Sequence, residues 1–250
     1  MTGLFAALLG VLVAPPDSIK SVPVPFGVGE ILEYAGKLGP IKLGTARLHV
    51  AGIDSVRGEP SWHLVFTMDI STIAYRSKDS IESWIGTSDL VSRRFRKRFR
   101  NSKEDREERY EIVADSGYFQ QAGKERKPTP PDAIDDGAFF YLVRTMPLEI
   151  GKTYVYSRYY RQDKNPVTLT VIGRETCELP DKVKVQCLVL HPQMETKGLF
   201  YKGSNARIWI TDDARRLPVQ IRSKFPFGTG TLRLERMKLV PPAATAGTAG

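Results

Sequence analysis

Residues that could do chemistry are few in this chain, and their spacing argues against most catalytic schemes. His49, His63 and His191 lie far apart, and none has the spacing of a metal motif such as HExxH. No GxSxG elbow, Walker loop or strand-linked GxGxxG is present, so nucleophilic and nucleotide chemistry lack their usual supports. Asp212 and Asp213, in WITDDARRLPV, could share a proton or hold a cation. Adjacent strand residues point to opposite faces, however, and Asp is favoured in turns because its side chain bonds the local backbone, so a turn is the expected reading. No catalytic residue, metal site or cofactor is therefore expected. A hydrolase of envelope polymers would have to draw on Asp212, Asp213, Glu30 and Glu33.

The two cysteines, Cys177 and Cys187, flank an LPDK turn. A register in which Leu179 meets Val185 places Cys177 opposite Cys187, and in an oxidising compartment that pair is expected to close into a disulfide. Two buried thiols are the alternative.

The densest charge is RRFRKRFRNSKEDREERYE, Arg93 to Glu111, with nine basic and five acidic residues. As a strand it places Arg94, Arg96, Arg98 and Arg100 on one face and Phe95, Lys97 and Phe99 on the other. A return strand after NSKED is expected to set Glu107 opposite Arg100, Glu111 opposite Arg96 and Ile112 opposite Phe95, so that cross-strand pairs balance the cations. The favoured reading is a solvated, salt-laced face. An anion-binding surface formed by Arg94, Arg96, Arg98 and Arg100, for lipid head groups or glycans, is the alternative. Nucleic acid is not an expected partner, because no base-reading module accompanies the charge.

The elements carrying these residues read as β-strands. Val, Ile, Tyr and Thr recur with period two and are broken by Gly, Pro, Asp or Asn, the pattern of an antiparallel meander. In TARLHVAGIDSVRGEPSWHLVFTMDI, Ala46, Leu48 and Val50 face one way and can meet Trp62, Leu64 and Phe66 across a turn. Similar hairpins are expected in TYVYSRYYRQDKNPVTLTVIGRE and ARIWITDDARRLPVQIRS. One segment differs: Asp135 and Asp136 precede Phe139, Phe140, Leu142 and Val143, and Pro147 ends the run, which predicts a short helix from Asp135 to Met146 weakened by Gly137. Such a helix must pack on a sheet face.

At 250 residues and 41% hydrophobic, the chain can bury one sizeable core; a formal charge of +9 favours polyanionic partners without choosing among them. The apolar run Leu4 to Ala14 matches a signal-peptide core in length, although no Lys or Arg precedes it and Leu12 is bulky for the cleavage pattern. An uncleaved anchor, or a start placed too far downstream, is the other reading. Expected organisation is therefore an export segment with linker over 1–25, one β domain over 26–240 and a disordered tail over 241–250, in a periplasmic protein.

PFGVGEILEYAGKLGPIKLGTARLHV, DGAFFYLVRTMPLEIGKTYVY and the block from Gly203 to Gly228 together resemble the bacterial exported-protein family of domain of unknown function 3108. The resemblance implies an envelope protein, mostly antiparallel β, without assigned activity. More remotely, the Trp209 and Pro218 hairpin resembles lipoprotein carriers of the LolA/LolB type, a likeness of fold alone. The expected fold is all-β with minor α: a single curved antiparallel sheet or half-open barrel of about ten strands, with one helix over its concave face. The expected function is a non-enzymatic periplasmic carrier or binding protein with an apolar hollow for a lipid or other hydrophobic group. Its walls are expected to include Phe139, Phe140, Leu142, Tyr154, Tyr156 and Trp209. The alternative is a structural or assembly subunit that binds an envelope protein or anionic glycan, with peripheral membrane contact.

Overall fold

The computed structural model describes residues 22–72, 75–195, 200–225 and 228–241. The apolar segment Leu4 to Ala14 and the tail from 242 lie outside the described residues.

Within them, alternation does what it predicts. Fourteen strands join one antiparallel sheet: β1 (Ile31–Leu38), β2 (Ile41–Val56), β3 (Glu59–Ser71), β4 (Arg76–Gly86), β5 (Ser92–Asn101), β6 (Asp105–Val113), β7 (Tyr118–Gln121), β8 (Arg126–Pro128), β9 (Thr153–Tyr156), β10 (Val167–Glu178), β11 (Lys184–Gln193), β12 (Arg207–Thr211), β13 (Pro218–Phe225) and β14 (Gly228–Lys238). The count exceeds the expected ten in part because β7 and β8 are only four and three residues long, too short to show an alternating pattern by themselves. Chain order is kept across the sheet except that β1 pairs with β14, which leaves β8 and β9 as the two edges. The sheet is thus open. Irregular chain spans the gap at one point, where Ala133 O accepts from Ser92 N at 2.8 Å and Ile134 bridges Tyr159.

The β2–β3 hairpin pairs Leu48 with Phe66 and Val50 with Leu64, and its turn residues Arg57 and Gly58 both have positive φ (53° and 85°), the turn type whose twist matches paired strands. Buried residues of the sheet and one helix, α1 (Asp136–Thr145), form a single continuous core. Asp135 caps α1 by accepting from the Gly137 and Ala138 N–H groups, both at 2.9 Å. The first turn of α1 packs on β4, close enough that Gly137 has no room for a Cβ beside Ser83 Oγ.

Two expected registers are displaced by two residues. Arg98, not Arg100, faces Glu107; Arg94, not Arg96, faces Glu111; and Phe95 faces Tyr110 rather than Ile112. The tighter turn closes on Asn101 N to Glu104 O at 2.8 Å, with the Asn101 side chain accepting from the Lys103 and Glu104 amides. Likewise Cys177 pairs with Val185 and Glu175 with Cys187, because the β10–β11 turn is built on Leu179 N to Val183 O with Lys182 left-handed at φ 68°. The cysteines still form the disulfide, from diagonal positions with Cα atoms 5.9 Å apart.

Candidate functional site

Between α1 and the concave face lies a cavity of about 780 Å³. Asp136 and Phe140, one helical turn apart on the same face of α1, both line it. Strand alternation supplies the facing wall, with Phe66 and Met68 from β3, Ile81 from β4, Ile221 from β13 and Leu232 from β14. Phe200 and Met194, from the connection after β11, complete the lining. Phe140 stands between two rings, with Phe66 and Phe200 each 5.7 Å away. The cavity reaches Leu38, Ile70 and Phe225, beside the β1–β2, β3–β4 and β13–β14 turns.

Of the residues expected to wall a hollow, Phe140 lines this one. Phe139 is one ring behind, packed on Phe200 at 5.2 Å, and Leu142 packs against the core without lining the cavity. Three others are misplaced. Tyr154 and Tyr156 stack on each other along the edge strand β9, with centroids 6.5 Å apart, and their hydroxyls donate to Pro147 O and Met146 Sδ. Trp209 lies on the face opposite Ile208 and Ile210, donates to Glu175 at 2.7 Å and carries the Arg222 guanidinium 5.4 Å above its ring. An aromatic-rich run shows which residues share a face but not which face is concave or which strand is an edge. The missed lining residues Phe66 and Lys97 did carry a signal: alternation had already placed each on the inward face.

Charged groups sit at one side of the hollow. Lys97 from β5, Asp136, Lys164 and Asp79 all line it. Asp136 Oδ1 accepts from Lys164 Nζ at 3.1 Å and from the Tyr159 hydroxyl, while Oδ2 is 4.0 Å from Lys97 Nζ. Burial pushes the Asp136 carboxyl up, but Lys164, Lys97 and the Tyr159 hydrogen bond outweigh it and hold the group below the ordinary carboxylate range. Asp79 ends on the other side, raised chiefly by burial.

The basic row looks outward and is paired. Arg94 donates to Glu111 at 2.6 Å, Arg96 to Glu107 at 3.1 Å, Arg98 to Asp105 at 2.8 Å and Arg100 to Asp105 at 3.1 Å. Arg98, through its hydrogen bond, is the main cause that brings the Asp105 carboxyl down to about 2. On the same convex face, His63 sits between Asp54 (3.3 Å) and Glu82 (3.0 Å) and stacks on Trp84 at 4.4 Å. The two carboxylates engage opposite ring nitrogens, so they do not meet on one metal ion. His191 is engaged by Ala206 O at 2.7 Å.

The acids needed by a hydrolase are spread out. Glu30 is buried against Arg144, Glu33 pairs with Arg236, Asp212 with Arg174 and Arg216, and Asp213 with Arg215. Asp213 Oδ1 also accepts from Thr211 Oγ1 at 2.8 Å and from the Arg215 amide at 2.9 Å, the local bonding of a turn.

Comparison with known proteins places the chain. A family model described as protein of unknown function (DUF3108) matches residues 33–235. The chain belongs to this family. No curated protein matches it. Among solved structures it is similar to a β-barrel-like protein of domain of unknown function DUF1849 from Brucella abortus, with a TM-score of 0.54 and 8% identity, covering 89% of this chain and 100% of that one. A putative lipoprotein from Parabacteroides distasonis ATCC 8503 also aligns, with a TM-score of 0.37 and 10% identity, over 88% of this chain and 100% of that one. The first likeness supports the fold of this DUF3108 member and carries nothing about its ligand.

Proposed function

We propose that this DUF3108 protein is a non-enzymatic carrier or binding protein of the cell envelope whose hollow takes an acyl chain or another apolar group. The observation that carries the reading is the cavity of about 780 Å³ between α1 and the sheet, walled mainly by Phe66, Met68, Phe140, Phe200 and Leu232. Its volume lies within the ~300–1,000 Å³ usual for small-molecule sites, and a mostly apolar wall with a few convergent polar groups is their common composition. The Cys177–Cys187 disulfide supports an oxidising, exported location, since such bonds are rare where thiols are kept reduced. A basic docking surface has less support, because Arg94, Arg96, Arg98 and Arg100 are already engaged by carboxylates.

The test is solvent extraction of protein purified without detergent, followed by titration of the emptied protein with a fluorescent fatty acid. We expect co-extracted lipid and saturable binding, weakened at least about tenfold by Ile221→Trp, which fills the wall without adding charge. Absence of both extracted lipid and saturable fluorescence ends the carrier reading.

A further inference from the structure

Lys97 is the one basic residue of its strand that lines the hollow, while Arg94, Arg96, Arg98 and Arg100 point to solvent. Turning an ammonium toward an apolar cavity is costly unless an anion meets it. The protein supplies only part of that anion. The nearest Asp136 oxygen is 4.0 Å from Lys97 Nζ, beyond hydrogen-bond range, the Phe99 ring lies 4.7 Å away, and Asp79 adds a longer-range attraction. Asp136 is already committed to Lys164 and the Tyr159 hydroxyl. Lys164 Nζ in turn donates to Tyr159 Oη at 2.9 Å, so two ammonium groups share one carboxylate at the edge of the cavity.

The remaining charges do not cancel the excess. Lys37 and Lys224 also line the cavity, and the other lining carboxylates are Asp69 and Asp79. Asp69 is engaged from outside by Lys78 at 3.5 Å. With Asp79 and Asp136 that leaves three lining carboxylates against four lysines, Lys37, Lys97, Lys164 and Lys224.

We propose that the hollow's ligand is a single-chain amphiphile with an anionic head, carboxylate or phosphate, and that Lys97 and Lys164 hold this head while the chain lies along Phe66, Phe140 and Phe200. The proposal rests on reading the hollow as a ligand site and names what that site selects. The head completes the hydrogen bonds that Lys97 lacks, and the aromatic wall begins directly beside it at Phe140, one helical turn from Asp136.

Calorimetric titration of the full chain with dodecanoate, dodecyl phosphate and dodecanol separates the alternatives. Either acid should bind at least about tenfold more tightly than the alcohol, the usual scale for a charge-assisted hydrogen bond in a sheltered site. Lys97→Met should remove most of that advantage by weakening both acids far more than dodecanol; the variant keeps Asp136 paired with Lys164 and Tyr159 and should unfold at no lower urea concentration than the wild type. Asp136→Asn should act in the opposite direction and tighten acid binding, because it releases both lysines. Comparison of the two acids tells carboxylate from phosphate. Equal affinity for acid and alcohol, or an identical loss for both in Lys97→Met, overturns the head-group assignment while leaving the carrier reading intact. If none of the three compounds binds, the carrier reading fails, and the assignment with it.

Discussion

Asp135 shows how one carboxyl holds α1 in place. Its Oδ1 accepts from two helix amides and from Ser83 Oγ at 2.5 Å, whereas Oδ2 is buried without a partner among the described residues. Burial therefore raises the group to about 6, against the pull of Ser83, the Ala138 amide and Ser92. A carboxyl whose folded value exceeds its unfolded value of ~3.9 stabilises the fold most below that lower value and loses the contribution as pH rises through the folded one. From pH ~4 to ~6 the native state keeps a proton the unfolded chain has released, and above that window it holds a buried charge. Asp135→Asn keeps the capping oxygen and cannot ionise. Relative to that variant, the wild type should lose about 2 kcal/mol between pH 4 and pH 7, read from paired urea titrations. Parallel profiles for the two proteins would mean that Asp135 does not titrate in that window. The cap was legible in the sequence as an Asp before an apolar run; its raised pKa was not, since that depends on Ser83, Ser92 and the core closing over it.

At the scale of elements, Gly137 looks from the sequence like a weakness in a short helix. The packing gives it a reason, because a Cβ there would collide with Ser83 Oγ and press on the Ile81 side chain of β4. Gly137→Ala gains roughly 1 kcal/mol of helix propensity but forces α1 off the sheet, a typical overpacking cost of about 1–3 kcal/mol. We expect net destabilisation of about 1 kcal/mol and a looser hollow, seen as a lower urea midpoint and weaker fatty-acid binding. A more stable variant would show that α1 can stand off from β4 without loss. The two displaced hairpins teach the same lesson about strands. In both the Arg94–Glu111 and Cys177–Cys187 ladders the true register differs from the expected one by two residues, so every side chain kept its face. Alternation fixes the face; the turn sets the register.

Across the whole molecule, one buried ion pair ties distant parts together. Arg144, in the last turn of α1, donates to Glu30 Oε1 at 2.5 Å and Oε2 at 3.0 Å, and also to Pro25 O and Arg215 O. Both side chains are almost fully buried, at 1% and 3% exposure, so the pair joins the helix to the start of β1 and the β12–β13 turn. Replacing one partner strands the other charge inside the core. Arg144→Met should therefore cost about 3–5 kcal/mol, and the double variant Glu30→Leu with Arg144→Met should recover much of that loss. A double-mutant cycle by urea unfolding measures it, and a single-variant cost below about 1 kcal/mol would show that water reaches Glu30.

The sequence by itself determined the all-β class, the capped helix, the outward arginine row and the inward faces bearing Phe66 and Lys97. Each of these depends on nearest-neighbour spacing, either period two along a strand or the cap of a single helical turn. Tertiary structure alone decided that Trp209 faces away from the hollow, that Tyr154 and Tyr156 lie on an edge strand, and that Glu30 is matched with Arg144 across 114 positions. It also decided that Lys97 and Lys164 share one carboxylate beside an apolar cavity. Those outcomes depend on the curvature of the sheet and on contacts between residues far apart in the chain, which no local pattern encodes.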